Sequence, residues 1–237
     1  MAPSIKKTPL LVIATLLFAA TCWAQKPPIV EQMAKTYGLD SFGQIDAIRY
    51  TFNIPAFKLS RTWTWEPKAD RVTYEGKDKD GKPVKVTYVR SQLGSQPDNV
   101  KKEIDPGFIN DQYWLVLPFH IAWDSASVED KGMQKVPGGK VSARHVVVKY
   151  SSDVGYTPGD TWELYVGSDN RIQKMVFHHG GTVKPSLVDV TWESYKKAGP
   201  LLFSMDHHGT ADGHPVQIFF TDIAVKVAGS DNWVNAQ

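Results

Sequence analysis

The sequence predicts a mainly β protein: an open, incomplete antiparallel barrel, or strongly curved sheet, of about ten strands with helices packed in its concave side. Three observations lead there. From Ile48 onward apolar residues recur with a period of two, broken by short turns such as Asp80-Gly81, Ser168-Asp169-Asn170 and Asp212-Gly213. Ahead of that stretch, Val30, Met33, Ala34 and Tyr37 fall at helical spacing. In the middle, residues 113–123 are apolar without alternation, too apolar for an ordinary surface loop. The sheet must cover that segment, or the segment must cover something itself. A sheet this wide tends to curl, and helices fill the hollow it makes.

Residues 1–24 read as a secretory signal peptide. Lys6 and Lys7 are basic, residues 10–20 are apolar apart from Thr15, and Cys22 and Ala24 supply small residues before a cut ahead of Gln25. The apolar run is shorter than the roughly 20 residues a membrane span needs. Residues 25–237 then form a single domain, with no repeat, low-complexity tract or long linker.

Within that domain residues 25–28 read as an unfixed leader, and the first helix covers residues 30–37 and stops at Gly38. Ile48, Tyr50, Phe52 and Ile54 share one strand face, and Leu59, Arg61, Trp63 and Trp65 share the next. Val72 and Tyr74 follow, then Val84, Val86 and Tyr88 across the Asp80-Gly81 turn. Asp105-Pro106 starts a second helix, filled by Phe108, Ile109, Tyr113, Trp114 and Leu117 and ended before Pro118. Strands resume at residues 143–150, 161–166, 172–178, 187–192, 201–206, 216–220 and 223–227.

Cleavage after Ala24 removes the only cysteine, which excludes disulfides, thiol nucleophiles and thiolate metal ligands from the mature chain. It also takes Lys6 and Lys7 from the 27 Lys and Arg, leaving 25 against 25 Asp and Glu. A chain so balanced lacks the cation excess that nucleic acid selects, so no nucleic-acid partner is predicted. The alternative for the leader is lipid attachment at Cys22, which would hold the domain against a membrane surface.

Three short motifs stand out: Trp63-Thr64-Trp65, Asp70-Arg71-Val72-Thr73-Tyr74, and Tyr113-Trp114-Leu115-Val116-Leu117-Pro118. With the closing hairpin from Asp212-Gly213 to Val225, they resemble the LolA-like superfamily of periplasmic lipoprotein carriers, which includes the LppX and LolB types. Uncharacterised secreted bacterial proteins of that type are the closer likeness. The resemblance implies an incomplete barrel wrapped around helices, an apolar cavity for acyl chains and a periplasmic location. It implies a lipid or lipoprotein acyl chain as partner.

Phe52, Trp63, Trp65, Tyr113, Trp114, Leu117 and Trp123 are the candidate ligand-binding set, since large rings in an open half-barrel can line a groove. The competing use of the same residues is a closed core. Residues 109–117 are the candidate lid. Burying each methylene of a ligand contributes about 0.8 kcal/mol, so such a groove needs no charged contact. No catalytic residue, metal or cofactor is predicted.

Two other readings stay open. The late histidines, His178-His179, His207-His208 and His214, with Asp206 and Asp212 near them, raise a metal-dependent hydrolase. A meander would set both histidine pairs at one sheet end, roughly 10 Å apart with a strand between them, and that reading requires one histidine from each pair to converge. Glu66, Glu163 and Glu193 are scattered carboxylates that only the fold could pair, with Glu163 expected to face solvent. Asp78-Lys79-Asp80-Gly81 reads as a hairpin turn rather than a calcium loop. An envelope scaffold, the third reading, predicts a large exposed apolar patch.

Overall fold

The structure, a computed structural model, describes residues 26–78, 80–152, 158–180 and 186–237; the signal peptide expected at residues 1–24, with Cys22, lies outside them. Helix α1 (Pro28–Tyr37) is followed by strands β1 (Ile45–Ile54), β2 (Leu59–Glu66), β3 (Arg71–Lys77) and β4 (Pro83–Val89). Helix α2 (Asp105–Trp123) separates these from β5 (Ser127–Lys135), β6 (Ser142–Lys149), β7 (Thr161–Val166), β8 (Ile172–His179) and β9 (Ser186–Thr191). The chain closes with β10 (Glu193–Ala198), β11 (Leu201–Ala211), β12 (His214–Val227) and β13 (Trp233–Asn235).

All 13 strands join one antiparallel sheet, in the order β4-β3-β2-β1-β12-β11-β9-β8-β7-β6-β5, with β10 paired to β11 and β13 to β12. The sheet does not close: β4 and β5 are its two ends. The predicted class is the one observed. Meanders on either side of α2 are joined where β12 crosses to β1, through the register Ile48–Val225 and Phe52–Phe220.

Local chemistry explains most boundaries. Pro28 begins α1 because its fixed φ suits a first turn, and Gly38 ends it at φ 103°. Gly38 is required twice over, since a Cβ there would also stand 2.5 Å from the Pro200 carbonyl oxygen. The leader is held more firmly than its sequence suggests. The Lys26 ammonium donates to the carbonyls of Ile121, Ala122 and Asp124 at 2.8, 3.0 and 2.5 Å, capping the end of α2 with a cation.

Pro118 does not stop α2. The helix continues to Trp123 and absorbs the missing N–H in a distortion at Val116, where φ is −123° and ψ 27°. The expected lid is also revised. Residues 109–117 lie inside α2 and are buried except for Asn110, so they form the filling of the hollow and not its cover. The reason is that Ile109 and Tyr113–Leu117 are large apolar side chains, while Asp111 between them is satisfied by Arg61 and Trp63 and not by water.

Strand β5 carried no alternating signal because it is a polar edge, exposed along most of its length. The two strands expected at residues 216–220 and 223–227 are one continuous β12, despite positive φ at Asp222. Strand β11 runs on to Ala211, placing the His207-His208 pair within it.

Candidate functional site

Helix α2 fastens to β2 through a buried polar centre. Asp111, 0 % exposed, accepts hydrogen bonds from Arg61 Nε at 2.8 Å, Arg61 Nη2 at 2.5 Å and Trp63 Nε1 at 2.7 Å. Burial pushes its carboxyl up to about 6, against the opposing pull of Arg61, Asn110 and Trp63. Nearly two turns earlier, Asp105 accepts from Tyr88 Oη at 2.9 Å and Arg90 Nε at 2.8 Å, tying the start of the helix to the β4 end of the sheet.

Two grooves open near the start of α2, one against the residues just ahead of the helix and one beside its first half. One, of about 440 Å³, has Trp63, Leu59, Tyr74 and Ile104 in its walls and a charged mouth of Lys77, Asp78, Asp80 and Glu103. The other, of about 590 Å³, lies between α2 and strands β7 and β8. Its walls include Ile109, Tyr113 and Trp114 from the helix, facing Trp162 and Phe177 from the sheet, with Asp105, Asn110, Asp160 and His179 also in the lining. Both volumes fall in the range of ligand pockets, and the second has the more continuous apolar wall.

The rings of the second groove form one contact network. Trp114 lies 5.8 Å from Trp162 and 6.3 Å from Phe177, while Tyr113 lies 6.2 Å from Trp162. Behind Trp114 stand Trp192 at 6.3 Å and His207 at 5.9 Å. His207 is fully buried, and burial pushes its imidazole down to about 3, so it is neutral. Among the described residues, its Nε2 and the indole Nε1 atoms of Trp162 and Trp192 have no hydrogen-bond partner.

Polar groups collect at the groove's rim. Asp160 accepts from Gly180 N at 2.8 Å and sits 3.0 Å from His179 Nδ1. Burial raises the Asp160 carboxyl, and its contacts to Gly180 and His179 oppose that rise. At the inner end, Tyr113 Oη donates to Asp124 Oδ2 at 2.5 Å, which Tyr150 Oη also reaches at 3.1 Å. Burial alone would raise the Asp124 carboxyl, but His120, Tyr113 and Tyr150 together hold it below its ordinary value.

The predicted ligand-binding residues divide between groove and core. Tyr113 and Trp114 line the larger groove, and Trp63 lines the smaller. Phe52 packs on Phe220 at 5.6 Å and Leu117 is buried with it in the main core. Trp65 and Trp123 both meet Phe42, at 5.7 and 4.8 Å, and Trp123 is 43 % exposed. Trp162 and Phe177 escaped the sequence reading although their strands were recognised. Their inward positions on β7 and β8 were legible, but their contact with Trp114 depends on sheet curvature.

The histidines do not converge. His178 Nε2 meets Glu163 Oε1 at 2.7 Å, and the other carboxylate oxygen meets His145 Nε2 at 2.9 Å. His208 Nδ1 instead lies 2.9 Å from Glu193 Oε1. The register explains why: His178 pairs with Leu187, whereas Gly209 pairs with Val190, so the two pairs stand at different levels of β9. Glu163 is not simply solvated but bridges His145 and His178, while Glu66 is engaged by Arg71 at 2.5 Å. The Asp78 turn is a hairpin, its Oδ1 accepting from Asp80 N and Lys82 N at 2.9 and 2.8 Å.

No protein-family model matches the chain, and no curated protein matches it. Among solved structures, it is similar to the crystal structure of a DUF1329 family protein from Desulfovibrio piger, at 9 % identity and a TM-score of 0.44. That match covers 87 % of this chain and 96 % of the other.

Proposed function

We propose that this chain is a secreted, periplasmic, non-catalytic binder or carrier of the LolA/LppX-like kind, taking up a lipid, a lipoprotein acyl chain or a similar apolar ligand. The observation that carries the reading is the groove of about 590 Å³ between α2 and β7–β8, walled by Ile109, Tyr113, Trp114, Trp162 and Phe177. A flexible chain entering it gains about 0.8 kcal/mol per buried methylene, and ten methylenes gain on the order of 8 kcal/mol before ordering costs. The Asp160–His179 pair at the rim gives a polar head a hydrogen-bonding neighbour without interrupting the apolar wall. The signal-like residues 1–24 support delivery across a membrane, and Cys22 offers the anchored variant of the same role.

Native mass spectrometry of protein purified from the periplasm of an expressing bacterium, with solvent extraction of the same sample, tests the reading. An acyl-bearing molecule bound in near-stoichiometric amount is the expected result. Protein that emerges ligand-free, and stays so after incubation with a lipid extract, would sink it.

A further inference from the structure

On the sheet face opposite His207, strands β10 and β11 bring three metal-ligating side chains together. Glu193 and Asp206 are directly paired in register, and His208, two residues beyond Asp206, points to the same face. One ligand atom from each of Glu193, Asp206 and His208 lies within 4.8 Å of the others. His208 Nδ1 stands 2.9 Å from Glu193 Oε1 and 3.9 Å from Asp206 Oδ2. Ligand atoms around a tetrahedral zinc ion, with bonds of about 2.0–2.1 Å, are about 3.3 Å apart. The two observed distances bracket that value, so small rotations of exposed side chains bring them into range.

The charge arrangement points the same way. Like charges directly opposite on paired strands repel. Among the described residues no lysine or arginine forms an ion pair with Glu193 or Asp206, and His208 is the base that pairs with both. Neighbouring groups already hold two of the three. Gln217 Nε2 donates to Asp206 Oδ1 at 2.9 Å, which leaves Oδ2 on the His208 side. Thr191 Oγ1 accepts from the His208 backbone N–H at 3.2 Å, fixing the backbone beside the imidazole, and its 3.3 Å contact with His208 Nδ1 is one that a metal ion displaces.

We propose that Glu193, Asp206 and His208 form a zinc site on the sheet face opposite His207, with solvent completing the coordination. His208 is the most exposed of the three, its side chain 53 % accessible, so the fourth position faces water. An imidazole beside two carboxylates suits zinc better than calcium or magnesium, which take oxygen ligands. The site stands apart from the apolar groove and does not depend on it.

The test is calorimetric titration of zinc chloride into chelator-stripped protein carrying no affinity-tag histidines. One saturable site with a Kd in the micromolar range is expected. His208→Ala, Glu193→Gln and Asp206→Asn should each weaken it by about tenfold or more with unchanged circular dichroism, while His178→Ala leaves it as in the wild type. Absence of a saturable site overturns the proposal, and so does undiminished zinc binding in His208→Ala. Calcium or magnesium held more tightly than zinc overturns it too, because imidazole would then not be a ligand.

Discussion

On the β2–β4 side, helix α2 meets the sheet through charged hydrogen bonds: Arg61 and Trp63 to Asp111, and Tyr88 and Arg90 to Asp105. On the β7–β11 side it meets the sheet through rings, with Trp114 against Trp162, Phe177, Trp192 and His207. The two attachments have different physics. A buried bidentate ion pair holds one geometry and is costly to break, because either partner left alone is an uncompensated buried charge. Ring contacts are less directional, and an acyl chain offers the same apolar surface that a side chain does. The charged side therefore anchors the helix, and the aromatic side is where the proposed ligand would replace protein contacts.

Breaking the anchor should have the largest effect. Asp111→Ala leaves Arg61 without its anion and Trp63 without its acceptor, and should lower stability by about 3 kcal/mol or more in urea unfolding. The double variant Arg61→Ala, Asp111→Ala should lose less than the sum of the two single variants, because the second change removes the stranded charge. Additive losses would mean that the pair does not act as a unit.

The aromatic side should reveal itself through pH. The folded pKa of His207 is depressed from 6.5 to about 3, so its contribution to stability is present above 6.5 and is lost as pH falls toward 3. Over that interval the unfolded chain binds the extra proton, at a cost of about 1.4 kcal/mol per pH unit. Asp111 acts in the opposite sense. Its folded pKa is raised from 3.8 to about 6, so its contribution is present below 3.8 and is lost as pH rises through 6. Because Asp111 is common to both proteins, comparing His207→Phe with wild type isolates the histidine. Relative to wild type, the variant should gain about 2 kcal/mol between neutral pH and pH 5. A difference independent of pH would show that His207 is not held neutral by burial.

These two sides were unequally legible in the sequence. Period-two alternation sufficed for the strands because each has one face on the core, as with Ile48, Tyr50 and Phe52 in β1. It failed for β5, whose edge position leaves it polar, and for β10 and β13, two short strands off the main strand order that it did not predict. The anchor had a visible half: Arg61 on the face of Trp63 is a cation on an apolar stripe, which demands a buried partner. Asp111 could not be assigned to it, since nothing local in residues 105–123 says which strand each side of the helix meets. The groove was half legible for the same reason. Tyr113 and Trp114 were found from their own segment, while Trp162 and Phe177 reach them only through a sheet that curls over many strands. The histidine positions turned on register, and extending β11 beyond Asp206 moved His208 away from His178.

The most direct measurement compares the two grooves. A dansyl-labelled fatty acid would be titrated into wild type, Phe177→Arg and Val84→Arg, each substitution placing a charge in one groove wall. Binding by wild type and Val84→Arg, with affinity lowered at least about tenfold in Phe177→Arg, is the predicted result. Equal binding by Phe177→Arg and wild type, or loss only in Val84→Arg, would contradict an apolar ligand held between Trp114 and Phe177.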